Sequence, residues 1–388
     1  MALKRTYLDW NATAPLSEAA RLAMIEAFSL PGNASSVHTE GRAARAAVEK
    51  ARRQVAALVG ADPAHVTFMS GATEASNHVL TPDYRMGRAP VTVSRLYCSA
   101  IEHPAIREGG RFDAEKVTEV PVTSTGIIDL VALEALLANH EPASGLPMVA
   151  VMLVNNETGI VQPVAQAAAL AHKYRGLIVV DAVQAAGRIA LDINALDADF
   201  LIISSHKIGG PKGVGALVSR GEVLMPKPLI RGGGQEKGHR SGTENFHAII
   251  GFGAAAEVMS EDLESRRTRI GELRDRLEQA MVQAAPDVII HGADGPRVAN
   301  TSFFTLPGLK AETGQIAFDL EGIALSAGSA CSSGKVGQSH VLTAMGFNSD
   351  IGGLRISLGP ETTQADIEAA IAAFRKIAGR RKLPGQAA

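Results

Sequence analysis

The sequence predicts an α/β protein: an open, mostly parallel sheet with helices on both faces, followed by a smaller α+β unit. Three observations carry that expectation. Short apolar runs alternate with alanine-rich amphipathic stretches through the first two-thirds of the 388 residues, the rhythm of strands joined by crossover helices. The chain is longer than one ordinary core accommodates. Beyond about residue 258 a long charged helix, "EDLESRRTRIGELRDRLEQAMVQAA" at 261–285, gives way to shorter runs of mixed type.

In chain order, helices are expected at Ser17–Ser29, Ala43–Leu58, Thr73–Leu80, Leu130–Ala138 and Val164–Tyr174. Strands are expected at His65–Met69, Val91–Cys98, Met148–Val154, Leu177–Val180, Phe200–Ile203 and Val214–Val218. The strand runs are short, rich in Val and Ile, and bounded by Gly, Pro, Asp or Ser, whereas the helical stretches repeat apolar residues at three- and four-residue spacing. In the second unit, strands near Val288–Ile290 and Thr301–Phe304 precede helices near Gly314–Leu320 and Gln364–Ala378.

Composition narrows the function. Apolar residues make up 46% and charged residues 20%, enough to bury a large core. The net charge of -2, with both signs spread along the chain, argues against a nucleic-acid or anionic-membrane surface as the main partner. Aromatics at 4% leave little for a base-stacking platform. Two distant cysteines, Cys98 and Cys331, exclude a disulfide framework and a zinc site, so no metal is expected. The start "MALKRTYLDWNATAP" lacks the apolar segment of a secretory signal, and "MVAVMLV" is too short to span a bilayer. A protein of a reducing cytoplasm is expected.

In open α/β sheets ligands bind just past the carboxyl ends of the strands. After His65–Met69 comes "SGATEASN", where Gly71 permits a tight turn and Thr73 opens a helix whose free N–H groups suit a phosphate, or serve only as a plain helix start. After Leu177–Val180 stands Asp181, a carboxylate that is costly to bury unpaired. After Phe200–Ile203 comes "SSHK", with Lys207 at the mouth of the core. A buried Asp181–Lys207 salt bridge is the plain reading. The sharper one is pyridoxal phosphate, whose aldehyde takes a lysine amine and whose ring nitrogen takes a carboxylate. Its phosphate fits "SGAT" with Ser204 and His206, and desolvation lowers the lysine pKa and frees the nucleophilic amine. "GFGAAA" at 251–256 matches a dinucleotide fingerprint but lies in a helical pattern, which speaks against NAD. "RGGGQEKGHRSGTEN" at 231–245 is a glycine-dense polar loop. In "SAGSACSSGKVGQSH" at 326–340, Cys331 is either a buried inert thiol or an accessible one.

From "YLDWNATAP" to "LRISLGPETTQADIEAAI" the sequence resembles the cysteine desulfurases of the NifS/IscS group, within the class-V aminotransferases and fold-type I pyridoxal-phosphate enzymes. The motifs that carry the likeness are "GNASSVHTEGR", "TFMSGATEASN", "IEHPAI", "VNNETGIVQPV", "VVDAVQAAG", "SSHKIGGPKGVGAL", "RGGGQEKGHRSGTEN", "SAGSACSS" and "LRISLG", in one order. The resemblance implies a large, mostly parallel seven-stranded sheet domain over residues 16–258. Residues 1–15 and 259–388 would form a smaller α+β domain carrying the cysteine loop and a substrate-carboxylate arginine.

By position, Lys207 matches the Schiff-base lysine, Asp181 the partner of the ring nitrogen, and Gln184 that of the ring oxygen. His103 matches the histidine stacked on the ring, and Asn156 an asparagine near the ring oxygen and substrate. Ala72, Thr73, Ser204 and His206 match the phosphate cradle. Thr243 matches a threonine reaching the neighbouring subunit's phosphate, which implies a homodimer. Arg355 matches the clamp on the substrate carboxylate, with Asn33 beside it. Cys331 matches the thiol that takes sulfur from L-cysteine as a persulfide, leaving L-alanine, for delivery to an acceptor protein.

The sequence departs from the family pattern at Ala14, Ala34, "KVGQ" after the cysteine, and "HVLTPDYRMGRAP" between Asn77 and Val91. Another pyridoxal-phosphate activity of the same family (selenocysteine lyase, β-eliminating lyase or aminotransferase) and a weakly active sulfur-relay protein stay open as alternatives. So do iron–sulfur assembly and tRNA thiolation as destinations of the sulfur.

Overall fold

The computed structural model describes residues 5–328, 338–347 and 350–381. Strand β1 (Thr6–Tyr7) opens the described chain and pairs in parallel with a strand far along it. The large sheet takes β2 (Val66–Met69), β3 (Asp83–Met86), β4 (Ala89–Ser99), β5 (Val117–Val120), β6 (Leu146–Met152), β7 (Leu177–Asp181), β8 (Phe200–Ser204), β9 (Gly215–Ser219) and β10 (Leu224–Pro226). A second, four-stranded sheet takes β11 (Ile289–Ile290), β12 (Thr301–Thr305), β14 (Ser326–Ala327) and β15 (Leu354–Ser357), and β13 (Ile323–Ala324) is the partner of β1.

Helices α1 (Glu18–Ala27), α2 (Thr39–Leu58), α3 (Ala72–Val79), α4 (Pro104–Arg107), α5 (Leu130–Ala138) and α6 (Val164–Lys173) are interleaved with the first strands. Then follow α7 (Phe246–Ser260), α8 (Leu263–Ala284), α9 (Ala311–Leu320), α10 (His340–Ala344) and α11 (Gln364–Ala378). Local chemistry fixes their starts. Ser17 accepts the Ala20 N–H ahead of α1, Asp129 accepts two N–H groups ahead of α5, and Thr363 with Asp366 forms a capping box on α11.

Strand alternation explains why helices cover both faces. Val149, Val151, Ile178, Val180, Leu201 and Ile203 pack with α2, α6 and α7 on one side. Met148, Ala150, Leu177, Val179, Phe200 and Ile202 pack with α3 and α4 on the other. A two-residue period with both sets apolar is what a doubly covered sheet requires. The second sheet has its own core, in which Phe304, Phe318 and Phe374 meet α8 and α11, and Leu8 joins it from the N-terminal segment.

Two expectations need correction. Within the described residues the large sheet has nine strands, not seven. Its centre, β4-β6-β7-β8 with β5 on β4, is parallel, while β9, β2, β3 and β10 join antiparallel. The unusual 77–91 segment adds β3, a hairpin with β4 turning at Gly87 (φ 58°) rather than a helix continuation, and β10 extends the sheet from β3. In addition, the 261–285 helix begins only at Leu263. Asp262 adopts a left-handed conformation (φ 47°) that breaks it from α7, and "GFGAAA" lies inside α7.

Candidate active site

The carboxyl ends of β2, β7 and β8 open on one cavity of about 510 Å³. Of the residues expected from the sequence, Ala72, Thr73, His103, Asn156, Asp181, Gln184, Ser204, His206, Lys207 and Arg355 all line it. Asn33 and Thr243 are exposed and do not line it. Asn33 accepts the Ser35 N–H in its own turn. Cys331 lies outside the described residues.

Asp181 closes β7, in register with Met152 of β6 and Ile202 of β8. It is buried, and its carboxylate accepts the Val183 N–H at 2.9 Å. Burial pushes its pKa up to about 6, against the opposing pull of that hydrogen bond and of the Lys207 charge. Lys207 ends a single 3-10 turn (Ser205–Lys207) that follows β8 directly. Its Nζ donates to the carbonyls of Asn11 (2.6 Å) and Ala12 (2.8 Å). The strand ends thus hold an acid and an amine on the same cavity, and the amine rests on backbone acceptors from the N-terminal segment.

At the β2 end, Gly71 starts α3 with no side-chain cap, so the first-turn N–H groups face the cavity as an anion site. The approach is tight behind it. A Cβ at Gly215 would lie 2.7 Å from the Ile203 carbonyl and 2.9 Å from Gly71, so β9 runs against the turn only because position 215 is glycine. His206, also beside this turn, contacts the Thr13 hydroxyl at 3.1 Å. Desolvation, with Lys207 and Lys212 nearby, lowers its pKa to about 4 and keeps it neutral at pH 7.

His103 caps α4, its Nδ1 accepting the Ala105 N–H at 3.2 Å. Burial and the Lys207 charge lower its pKa, so the ring is neutral near pH 7 with its proton on Nε2. That ring is ready to donate; taking up a proton requires Nδ1 to release its cap. Gln184 donates from Nε2 to the Asn11 carbonyl at 2.9 Å, and its Oε1 accepts from Arg188.

Arg355 projects from β15 of the second sheet into the same cavity. Its Nη2 pairs with Asp9 at 2.9 Å, and its Nη1 donates to the Asn156 carbonyl at 2.8 Å. Its Nε is buried with no partner. Arg355 lines the cavity, and the outer N–H donors of its guanidinium are matched to an incoming oxygen acceptor such as a carboxylate.

Several members of the site carry no sequence motif of their own. Asp9 and Asn11 supply the partner of Arg355 and the acceptor of Lys207, and Asn11 also bonds Thr301 and Asn300. Asp9 was legible at most as an acid between apolar residues in "YLDWN". Glu102 and Glu157 are buried acids beside the site that the sequence reading passed over.

A lysine and a carboxylate at adjacent strand ends, a bare helix N-terminus and an arginine from a second sheet define a fold-type I pyridoxal-phosphate enzyme. The aminotransferase class-V profile matches residues 6–370. The IscS-like cysteine desulfurase of Mycobacterium tuberculosis is 38% identical over 373 residues, covering 94% of each chain. A NifS-like protein from Rickettsia africae superposes with a TM-score of 0.86 at 34% identity, over 97% of this chain and 99% of that one. The structure of SspA in complex with cysteine matches with a TM-score of 0.73 at 26% identity, over 92% of this chain and 100% of that one. This chain belongs to the class-V aminotransferase family, among its cysteine desulfurases.

Proposed function

We propose that the protein is a pyridoxal-phosphate-dependent cysteine desulfurase that converts L-cysteine to L-alanine and receives the sulfur on Cys331 as a persulfide. One observation carries the reading: Lys207, Asp181, the α3 N-terminus and Arg355 converge on a single cavity. Relatives named cysteine desulfurase, and a structural neighbour in complex with cysteine, support the substrate.

The donor set fits the cofactor. Lys207 would hold its aldehyde and Asp181 its ring nitrogen. Gln184 and Asn156 would serve the ring oxygen, His103 the ring face, and Ala72, Thr73, Ser204 and His206 the phosphate. The buried Asp181 carboxyl, raised to about 6 by burial despite the Lys207 charge, is suited to a positively charged ring nitrogen. When bound, pyridoxal phosphate supplies an electron sink that makes the substrate's amine-bearing carbon acidic and its carbon–sulfur bond labile.

The chain's own residues do the rest. Arg355 orients the substrate carboxylate through the fork that Asp9 and the Asn156 carbonyl already hold in place. The Lys207 amine, held by the Asn11 and Ala12 carbonyls, would move a proton at the substrate's amine-bearing carbon. His103 donates from Nε2. The Cys331 thiolate takes the sulfur: one carbon–sulfur bond breaks, one sulfur–sulfur bond forms, and alanine plus persulfide conserve every atom of cysteine plus thiol. A free thiol titrates at about 8.5, so its proton must leave to a nearby base for attack at pH 7.

The same reading takes 16–258 as the cofactor domain, and 1–15 with 259–388 as the domain carrying Arg355 and Cys331. Thr243, exposed on a loop tied to α3 through the Arg240–Glu74 ion pair, would complete the phosphate site of a second subunit in a homodimer. No described helix is long and apolar enough to cross a membrane. A cytoplasmic site and an acceptor protein for the sulfur belong to the proposal. The deciding experiment mixes purified, cofactor-loaded protein with L-cysteine and measures alanine together with the mass of Cys331. Equal alanine and persulfide in one turnover are expected, and pyruvate with ammonia would overturn the reading.

A further inference from the structure

The span that carries Cys331 enters after Gly328 and leaves before Ser339, and one buried side chain meets both places. Glu157 Oε2 accepts the Ser339 hydroxyl at 2.6 Å. That hydroxyl in turn accepts the Leu342 N–H and so caps α10, fixing where the chain resumes its helix. On the other side, a Cβ built on Gly328 would lie 2.7 Å from the same Oε2 and 2.5 Å from the Phe303 ring. Only glycine lets the backbone rest between that ring and the carboxylate. Gly328 N–H also donates to the Gly353 carbonyl, two residues from Arg355.

Glu157 is 2% exposed, does not line the cofactor cavity and makes no salt bridge among the described residues. Its backbone is locked, because the Asn155 side chain accepts the N–H groups of both Glu157 and Thr158. The intervening residue, Asn156, gives its carbonyl to Arg355. One turn therefore grips the substrate-clamping arginine and both borders of the cysteine span. A buried carboxyl without an ionic partner is expensive, and here burial raises its pKa to about 7 despite the Ser339 hydrogen bond and the Arg355 charge.

We propose that Glu157 is a positioning residue at the two borders of the Cys331 span, Gly328 and Ser339, serving sulfur transfer rather than substrate or cofactor binding. The proposal rests on the desulfurase reading. Pinning both ends of a connecting segment raises the effective concentration of the group it carries, so loosening them should lower turnover without touching affinity.

The test compares Glu157→Ala, Glu157→Gln and Ser339→Ala as cofactor-loaded proteins. Glu157→Ala and Ser339→Ala should lower kcat for alanine by about tenfold, the effect of losing roughly one charged hydrogen bond. KM for L-cysteine and the visible cofactor spectrum should stay as in the wild type. Glu157→Gln, whose amide oxygen still accepts the Ser339 hydroxyl, should recover most of the rate. Alkylation of Cys331 by iodoacetamide, with Cys98 buried and silent, gives a reading independent of turnover: Glu157→Ala should change its rate at least about threefold and Glu157→Gln should not. Unchanged kcat and alkylation in Glu157→Ala, or a kcat loss matched by a KM rise and cofactor loss, would overturn the clasp. Wild-type protein that makes no alanine would instead overturn the desulfurase reading, leaving the alkylation series to judge the clasp.

Discussion

Asp9 and Arg355 form an ion pair at 2.9 Å across 346 residues of sequence, and Arg355 keeps a third donor, Nε, buried and unused. Asp9 in turn accepts the Ser326 hydroxyl at 2.7 Å. The arginine is preorganised from behind, with one edge left for a ligand. Replacing it with lysine keeps a positive charge but removes the planar fork. Arg355→Lys should therefore raise KM for L-cysteine by about 10–100-fold, the effect of one or two charged hydrogen bonds, with cofactor loading intact. Steady-state kinetics at saturating cofactor checks this, and an unchanged KM removes Arg355 from the substrate site.

The attachment point is testable without turnover. Borohydride reduction of the loaded protein followed by peptide mass analysis should place the cofactor on the peptide containing Lys207. Lys207→Ala should fold, because the Asn11 and Ala12 carbonyls lie beside an open cavity that water can reach, and should carry no covalent label. A label elsewhere would contradict the assignment.

For Cys331→Ala the expected outcome is intact cofactor absorbance with loss of persulfide and of sustained alanine release. The other cysteine cannot substitute. Cys98 is buried in the sheet, and its thiol is pushed up to about 12 by desolvation, with Glu102 and Glu119 adding to the effect. Retained full activity in Cys331→Ala would sink the role.

Asp181 gives a pH signature with a definite sign. Its folded-state pKa is about 6, above the ordinary value near 3.8, so the cofactor-free fold binds this proton more tightly than the unfolded chain does. The corresponding stability is present below about pH 4 and is lost as pH rises through 6. Asp181→Asn should therefore make the cofactor-free protein more stable than wild type at pH 7 by about 1–3 kcal/mol, with the difference vanishing near pH 4. The same substitution should weaken cofactor binding. Melting temperatures of both proteins across pH 4–7 measure the first effect, and a pH-independent difference would refute it.

Legibility in the sequence followed physical contrast. Asp181 and Lys207 stood out because charges at the ends of apolar strands β7 and β8 are anomalous, and the structure places both on the cavity. The central strands were equally plain. The edge was not: Asp83–Met86 is short, half polar and mostly exposed, and Leu224–Pro226 is only three residues ending in proline, so neither makes the apolar run that betrays a buried strand. Asp9, Asn11 and Glu157 lie in stretches that carry the family likeness, but their roles escaped because each acts through a partner more than 180 residues away, and no local spacing encodes such a pairing. The phosphate turn at "SGAT" was read from its glycine, whereas the need for Gly215 opposite it emerges only when β9 is laid beside β2.

The bond between Asp9 and Arg355 also has a temporal side. A ribosome emits the acid at the outset and the arginine more than three hundred residues later, and until then the substrate grip does not exist. A growing chain can therefore build its large sheet before the arginine of this pair has been made, and the grip is completed only when β15 docks in the second sheet.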